Sequence, residues 1–150
     1  MNILILGGGG REHSLAWAIL QNPKCDRLIV APGNAGIADI ADCADLAIED
    51  PGAVVAFAEE ESIDLVVIGP EAPLAAGVAD RLAEAGVAAF GPSAAAARLE
   101  ASKAFTKEIC DACGAPTARY ARFTDPHAAK AYIAEEGAPI VVKADGLAAG

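Results

Sequence analysis

The chain has 150 residues, of which 54% are hydrophobic, and its 21 acidic side chains against 11 basic ones leave a formal net charge of -10. A disordered chain would not be half apolar, and a chain without a basic field does not gather nucleic-acid phosphates. The length fits one domain, or one domain and the start of another. Composition therefore argues against disorder and against a nucleic-acid partner.

The charge is unevenly distributed along the chain. Residues 1–100 hold 5 basic and 15 acidic side chains, whereas residues 101–150 hold 6 of each. This change predicts a domain boundary near residue 100. No apolar run reaches the roughly 18 residues of a membrane span, and the first residues show no targeting pattern. These features predict a soluble cytoplasmic protein without a membrane partner.

Short apolar runs alternate with Ala-rich segments in the first hundred residues. The runs predict strands at residues 2–6, 27–31, 45–48, 64–68 and 87–90. Most of them are continuously apolar, which is typical of parallel strands covered on both faces. The segments between them predict crossover helices at residues 12–21, 51–61 and 74–85. The sequence therefore predicts an α/β fold with an open, doubly wound parallel sheet.

The pattern changes after Pro92. It predicts an Ala-rich turn at 93–99, a helix at 102–112, a strand at 117–123, a helix opened by Asp125 and Pro126, and a strand at 139–143. Residues 144–150 read as a glycine-containing loop.

The four cysteines include one recognisable pattern, the C-x-x-C of Cys110 and Cys113. A redox pair is favoured at the start of a helix, where the dipole lowers a thiol pKa. Here Gly114 and Pro116 follow and mark a helix end. The pattern therefore only weakly supports a zinc or redox site.

Four consecutive glycines follow the first predicted strand, and Arg11, Glu12 and His13 come directly after them. Ligands gather at the carboxyl ends of parallel strands, and backbone N–H groups at a helix start favour an anion. The dinucleotide fingerprint G-x-G-x-x-G fails in both registers, and the P-loop pattern is absent. The turn is therefore either an anion site of another kind or a tight strand-to-helix turn.

Two further loops open on the same edge of the predicted sheet. One carries Asn34 and Gly36, and the other carries Glu71 and Pro73. Glu71 is either a carboxylate for sugar hydroxyls or an amine, or a solvated loop residue. Arg11 is a candidate for a phosphate.

Lysines are the candidate residues of the second part. Lys143 closes a predicted apolar strand before a glycine loop, where an ammonium and backbone donors would meet a phosphate. A lysine that ends a buried strand is costly unless it is paired, which favours a ligand. Lys103 precedes a helix and is ambiguous from the sequence pattern.

Six sequence blocks together resemble the phosphoribosylamine–glycine ligase family, also called glycinamide ribonucleotide synthetases, of the ATP-grasp superfamily. The blocks are residues 8–13, 31–36, 69–74, 91–92, 102–107 and 142–150. The resemblance covers the whole chain. It implies a ligase of purine biosynthesis that joins 5-phosphoribosylamine and glycine at the expense of ATP, through a glycyl phosphate.

The resemblance also implies roles for particular residues. Residues 1–100 would form a Rossmann-like substrate domain, and residues 101–150 a linker helix and the beginning of an ATP-grasp domain. The implied substrate residues are Gly9, Gly10, Arg11, Glu12, His13, Asn34, Gly36, Glu71 and Pro73. The implied ATP residues are Lys103, Lys143, Asp145, Gly146, Leu147, Ala148, Ala149 and Gly150.

The family's chains are several times longer, and the resemblance places the Mg²⁺ ligands and the catalytic residues beyond residue 150. We therefore expect these 150 residues alone to be inactive, because phosphoryl transfer needs its metal and its clamp together. Two alternatives stay open. One is a non-catalytic phosphoribosyl-binding module, and the other is a nicotinamide-dependent enzyme, against which the failed fingerprint counts.

Overall fold

A computed structural model describes residues 1–147 of the chain. The chain divides into two compact units, Met1–Arg98 and Leu99–Gly150. No helix in the described part of the chain is long and apolar enough to cross a membrane.

The first unit is built on a five-stranded sheet. Its strands are β1 (Asn2–Gly7), β2 (Arg27–Pro32), β3 (Asp42–Cys43), β4 (Leu65–Ile68) and β5 (Ala88–Phe90). They run in the order β3-β2-β1-β4-β5, and every neighbouring pair is parallel. The predicted open parallel sheet is therefore confirmed. Its helices are α1 (Gly10–Leu20), α2 (Ala35–Ala38), α3 (Pro51–Glu60), α4 (Glu71–Ala75) and α5 (Val78–Glu84), and α6 (Ala94–Ala101) begins in this unit and crosses its boundary at Arg98.

Strand β1 shows why the sheet is covered on both faces. Its alternate residues Leu4 and Leu6 join one apolar cluster, together with residues of α3 and α5. Ile3 and Ile5 join a second cluster, together with residues of α1 and α2. Since successive side chains of a strand point to opposite faces, a continuously apolar strand needs helices on both sides.

Three predictions in this unit were wrong in position or type. The third strand is Asp42–Cys43 instead of residues 45–48, where Leu46 and Ile48 pack against the core without pairing. The apolar pattern of residues 45–48 therefore indicates contact with the core and not a hydrogen-bonded strand. The helix predicted at 74–85 is two helices, because Gly77 adopts φ +90° between them. The Ala-rich segment predicted as a turn is helix α6, in keeping with the high helix propensity of Ala.

The second unit has two helices of its own, α7 (Lys103–Cys113) and α8 (Pro126–Glu136). Ser102 caps α7 and Asp125 caps α8. Cys110 and Cys113 lie in the last turn of α7, before the left-handed Gly114. The helix end that the sequence predicted there is confirmed.

The two strands predicted in the second unit were wrong. Residues 117–123 and 139–143 are described, and neither segment forms a strand. Val141 and Val142 are exposed. A strand requires a hydrogen-bonding neighbour, and no described segment of this unit pairs with either one.

Candidate functional site

The candidate site of the first unit lies where the strand order of the sheet reverses. Strand β1 is flanked by β2 on one side and by β4 on the other. The chain leaves β1 toward β2 and later crosses back to β4, so the loops after β1 and β4 diverge and leave a crevice. These loops carry the glycine turn (Gly7–Gly10) and Glu71.

Glu12 is the buried charged residue of this crevice. It is 4% exposed, and its Oε2 accepts a hydrogen bond of 2.8 Å from the Gly9 N–H. This bond satisfies one of the free donors at the start of α1. The other carboxylate oxygen, Oε1, is buried and accepts no hydrogen bond in the described structure. A buried polar atom that accepts no hydrogen bond is rare in native proteins and is a candidate ligand contact.

Glycines make the space that Glu12 occupies. A Cβ on Gly69 would lie 2.2 Å from Glu12 Oε1, and a Cβ on Gly7 would lie 2.7 Å from Glu12 Cγ. Gly7 also adopts φ +123°, which L side chains rarely reach. The glycines after β1 and β4 therefore admit a carboxylate between the two loops.

Arg11 lies between two carboxylates. Its Nε is 3.2 Å from Glu12 Oε1, in an orientation that makes no hydrogen bond, and its Nη1 is 3.5 Å from Glu71 Oε1. The Arg11 and Glu71 side chains are 59% and 43% exposed, so the pair is weak and available to a ligand. The crevice thus combines one exposed cation with two carboxylates.

Asn34 connects the loop after β2 to the glycine turn after β1 through hydrogen bonds. Its Oδ1 accepts a hydrogen bond of 2.9 Å from the Ile37 N–H, which caps α2. Its Nδ2 donates a bond of 2.8 Å to the Gly8 carbonyl. Both ends of the amide are therefore used inside the protein, and the side chain positions the glycine turn.

The remaining predicted substrate residues surround the start of α1. Gly9 and Gly10 are exposed, and nothing lies within 4 Å of a Cβ on Gly10. The His13 ring lies against Gly36, where a Cβ would be 2.8 Å from its Cε1. Pro73 is buried in α4 and faces the core. Gly9, Gly10 and Arg11 are thus exposed, whereas Pro73 is buried.

Sequence reasoning missed Trp17, the one tryptophan of the chain. It is 61% exposed and lines an open groove of about 540 Å³ with Gly10, His13, Ser14 and Ala18. Its position one turn beyond His13 on α1 was a signal that helical periodicity could have supplied.

A second group of predicted residues meets inside the second unit. Asp145 contacts Ser102 and the backbone of Ala104, and Lys103 Nζ donates a bond of 3.1 Å to the Gly146 carbonyl. Bonds from the Ala104 N–H first, and from Ser102 next, lower the pKa of the Asp145 carboxyl. The start of α7 and the loop at 144–147 therefore lie together.

Lys143 does not occupy the place that the sequence predicted. It is exposed, it is not on a strand, and it forms no hydrogen bond or ion pair with any described residue. The argument from a buried strand end was wrong for this reason. Leu147 is exposed, and Ala148, Ala149 and Gly150 lie outside the described residues.

The side chains that could bind a metal ion are those of His, Cys, Asp and Glu. Among residues 1–147, no group of three or more His, Cys, Asp or Glu side chains is arranged to hold a metal ion. We therefore assign no Mg²⁺ ligand in the described part of the chain.

Comparison with known families gives matches over both units. Residues 1–100 match the family described as Phosphoribosylglycinamide synthetase, N domain. Residues 101–150 match Phosphoribosylglycinamide synthetase, ATP-grasp (A) domain.

Individual proteins agree with these matches. The phosphoribosylamine–glycine ligase of Agrobacterium fabrum is 59% identical over 150 residues, which are 100% of this chain and 36% of that protein. The crystal structure of phosphoribosylamine–glycine ligase from Thermotoga maritima is 30% identical, with a TM-score of 0.72 over 98% of this chain and 34% of that one. That of N5-carboxyaminoimidazole ribonucleotide synthetase from Thermus thermophilus is 26% identical, with a TM-score of 0.61 over 91% of this chain and 37% of that one. The chain thus spans about a third of the length of the relatives it matches.

Proposed function

The chain belongs to the phosphoribosylglycinamide synthetase family, and from that premise we propose that it serves an ATP-dependent ligase joining 5-phosphoribosylamine to glycine. The family resemblance predicted from the six sequence blocks is confirmed by these matches. The names of the relatives supply the substrates of this proposal. The same proposal includes a cytoplasmic location and partners that are small-molecule substrates, without a nucleic acid or a membrane.

The proposed reaction has two steps. The γ-phosphoryl group of ATP passes to the carboxylate of glycine, which gives glycyl phosphate and ADP. The amine of 5-phosphoribosylamine then attacks the acyl carbon, the C–O bond to phosphate breaks, and the amine loses a proton. The products are glycinamide ribonucleotide, ADP and phosphate. Mg²⁺, when bound, would neutralise part of the charge on the phosphates.

The observation that carries the proposal is that the buried Oε1 of Glu12 accepts no hydrogen bond and has only an ion pair with the exposed Arg11 side chain. A buried carboxylate oxygen is costly until a donor reaches it. The amine and ribose hydroxyls of 5-phosphoribosylamine are such donors, and Glu71 offers a second acceptor in the same crevice. The phosphate of 5-phosphoribosylamine would bind at the exposed backbone of Gly9 and Gly10 at the start of α1, and Arg11 lies beside them.

The other predicted substrate residues support these contacts. Asn34 holds the glycine turn, His13 and Gly36 pack beside it, and Pro73 anchors the loop of Glu71. We propose residues 1–100 as the substrate domain on this basis.

The second unit would contribute part of an ATP site. Lys103 and Lys143 carry ammonium groups suited to phosphate oxygens, and the loop at 144–150 would supply backbone donors. Residues 101–150 are proposed as a linker helix and the beginning of an ATP-grasp domain, consistent with the match of that segment.

Substitution of Glu12→Gln in the native polypeptide that carries this sequence tests the proposal. The amide retains an acceptor for the Gly9 N–H but removes the charge that receives the substrate. We expect the KM for 5-phosphoribosylamine to rise roughly tenfold to a hundredfold, because bonds to charged groups contribute about 1.5–3 kcal/mol, while the KM for ATP stays unchanged. ATP-dependent formation of glycinamide ribonucleotide is the assay.

Glu59→Gln, on the exposed end of α3, is the matched control and should change neither constant. A native polypeptide that binds glycinamide ribonucleotide but never forms it would instead support the phosphoribosyl-binding module. An equal rise in both KM values after Glu12→Gln would contradict the assigned role of Glu12.

A further inference from the structure

The carboxylate of Asp145 lies at the amino end of α7, although the two are more than forty residues apart in sequence. Its Oδ1 accepts a bond of 3.2 Å from the Ala104 N–H. The Ser102 Oγ lies 3.2 Å from Oδ1 and 3.1 Å from Oδ2. Because Ser102 Oγ also accepts a bond of 3.1 Å from the Phe105 N–H, its single proton is free to go to Asp145.

This arrangement gives α7 a cap from two sources. The first four N–H groups of a helix have no partner within it, and Ser102 alone serves one of them. Asp145 serves a second, and its negative charge is favoured at the positive end of the helix dipole. The bond from the Ala104 N–H is the largest of the causes that lower the pKa of the Asp145 carboxyl, and the bond from Ser102 also contributes.

The cap also fixes a lysine relative to the loop. Lys103 is the first residue of α7, and its Nζ donates a bond of 3.1 Å to the Gly146 carbonyl, next to Asp145. An ammonium has three donors, and Lys103 uses one of them among residues 1–147, which leaves two for a phosphate. The Asp145 carboxylate itself is unsuited to a phosphate, because like charges repel and its oxygens already accept bonds.

We propose that Asp145 is a positioning residue that, through Ser102 and Ala104, clamps the loop at 144–147 to the start of α7 and so holds Lys103 in reach of the ATP phosphates. This inference rests on the proposed ligase function. It gives Asp145 a different role from the direct ATP contact that the resemblance implied: Asp145 would position Lys103, and Lys103 would contact ATP.

Kinetics of the native polypeptide separate this role from a merely structural one. We expect Asp145→Ala to raise the KM for ATP about tenfold, within the range of a lost cap, while the KM for glycine stays within about twofold. Asp145→Asn should restore part of the ATP affinity, because its amide oxygen still accepts from the Ala104 N–H. Equal changes in both KM values, or no change in the KM for ATP, would overturn the proposal.

Asp125→Ala is the matched control for stability. Asp125 caps α8 through the His127 and Ala128 N–H groups, so its removal costs the second unit a comparable cap far from the loop in sequence. We expect its KM for ATP to match that of the wild type. If Asp125→Ala raised that constant as much as Asp145→Ala, general destabilisation would explain both and the clamp would be rejected.

A spectroscopic measurement tests the clamp without ATP. In the wild type, the amide resonance of Ala104 should shift in acid with a midpoint below the ordinary Asp range, and in Asp145→Asn that transition should vanish. If the Ala104 transition vanishes in Asp145→Asn but the wild type shows no ligase activity, the clamp is supported and the proposed function is rejected. An Ala104 amide that ignores Asp145→Asn would reject the clamp whatever the enzyme does.

Discussion

The two units contain almost the same pair of residues in opposite environments. Val66 and Val67 form the centre of β4 and are 0% and 8% exposed. Val141 and Val142 also follow one another in an apolar run, yet they are 77% and 72% exposed and form no strand. The local sequence is equivalent, whereas the neighbours differ.

This difference shows that an apolar segment forms a strand only where another segment pairs with it. Val66 is in register with Leu4 of β1 on one side and with Ala89 of β5 on the other. Each neighbour supplies backbone hydrogen bonds, and the helices on both faces remove the side chains from water. Residues 139–143 have no such partner in the described part of the second unit.

The largest expected loss of stability comes from a substitution in the first unit, at Gly8, where two loops approach closely. A Cβ on Gly8 would lie 2.4 Å from the Gly33 carbonyl oxygen, which is backbone and moves only with its loop. We expect Gly8→Ala to lower the free energy of unfolding by about 3 kcal/mol. Urea unfolding followed by circular dichroism measures it.

Gly10→Ala is the matched control for that substitution. Nothing lies within 4 Å of its Cβ position, and Gly10 begins α1. It should leave the urea midpoint unchanged or raise it slightly, because Ala loses less backbone entropy. Comparable losses in both variants would contradict the assignment of the effect to the Gly33 contact.

A second, smaller effect tests the valine comparison directly. Val66→Ala removes two methyl groups from a fully buried site, and we expect a loss of about 2 kcal/mol in the free energy of unfolding. Val141→Ala removes the same atoms from an exposed site and should cost no more than about 0.5 kcal/mol. A large loss for Val141→Ala would show that the second unit buries this run after all.

The smallest effect concerns the second unit's own tertiary contacts. The Tyr120 hydroxyl donates a bond of 2.6 Å to Asp111 Oδ2 of α7, and this bond, first among its causes, raises the pKa of Tyr120. A raised tyrosine pKa contributes stability below the ordinary pKa, which is lost as pH rises through the folded value. Asp111→Asn should bring the ultraviolet titration of Tyr120 back toward its ordinary midpoint. An unchanged Tyr120 titration would mean that residues 117–123 do not pack on α7 in solution.

Much of the first unit was predictable from the sequence because its signals are local. Four of the five strands lie where continuous apolar runs indicated them, and Asp50 with Pro51 marked the start of α3. The third strand and the break at Gly77 were not predictable. An apolar run reports burial without saying whether a neighbour pairs with it, and a glycine is compatible with a helix until its φ is known.

The candidate sites divide in the same way. The sequence singled out Glu12 and Asp145, but the burial of a Glu12 oxygen that accepts no hydrogen bond and the capping contacts of Asp145 depend on residues far along the chain. Gly69 meets Glu12, and Ser102 meets Asp145, only through the fold.

The sequence by itself determined the family, the parallel α/β class of the first unit, and the residue types that could bind anions and amines. Those properties are carried by composition, periodicity and short motifs, which are readable without coordinates. Only the tertiary structure decided which apolar runs became strands, which carboxylate buried an oxygen that accepts no hydrogen bond, and which carboxylate became a helix cap. Each of these depends on a hydrogen-bond partner brought from a distant part of the chain, and local sequence does not specify that partner.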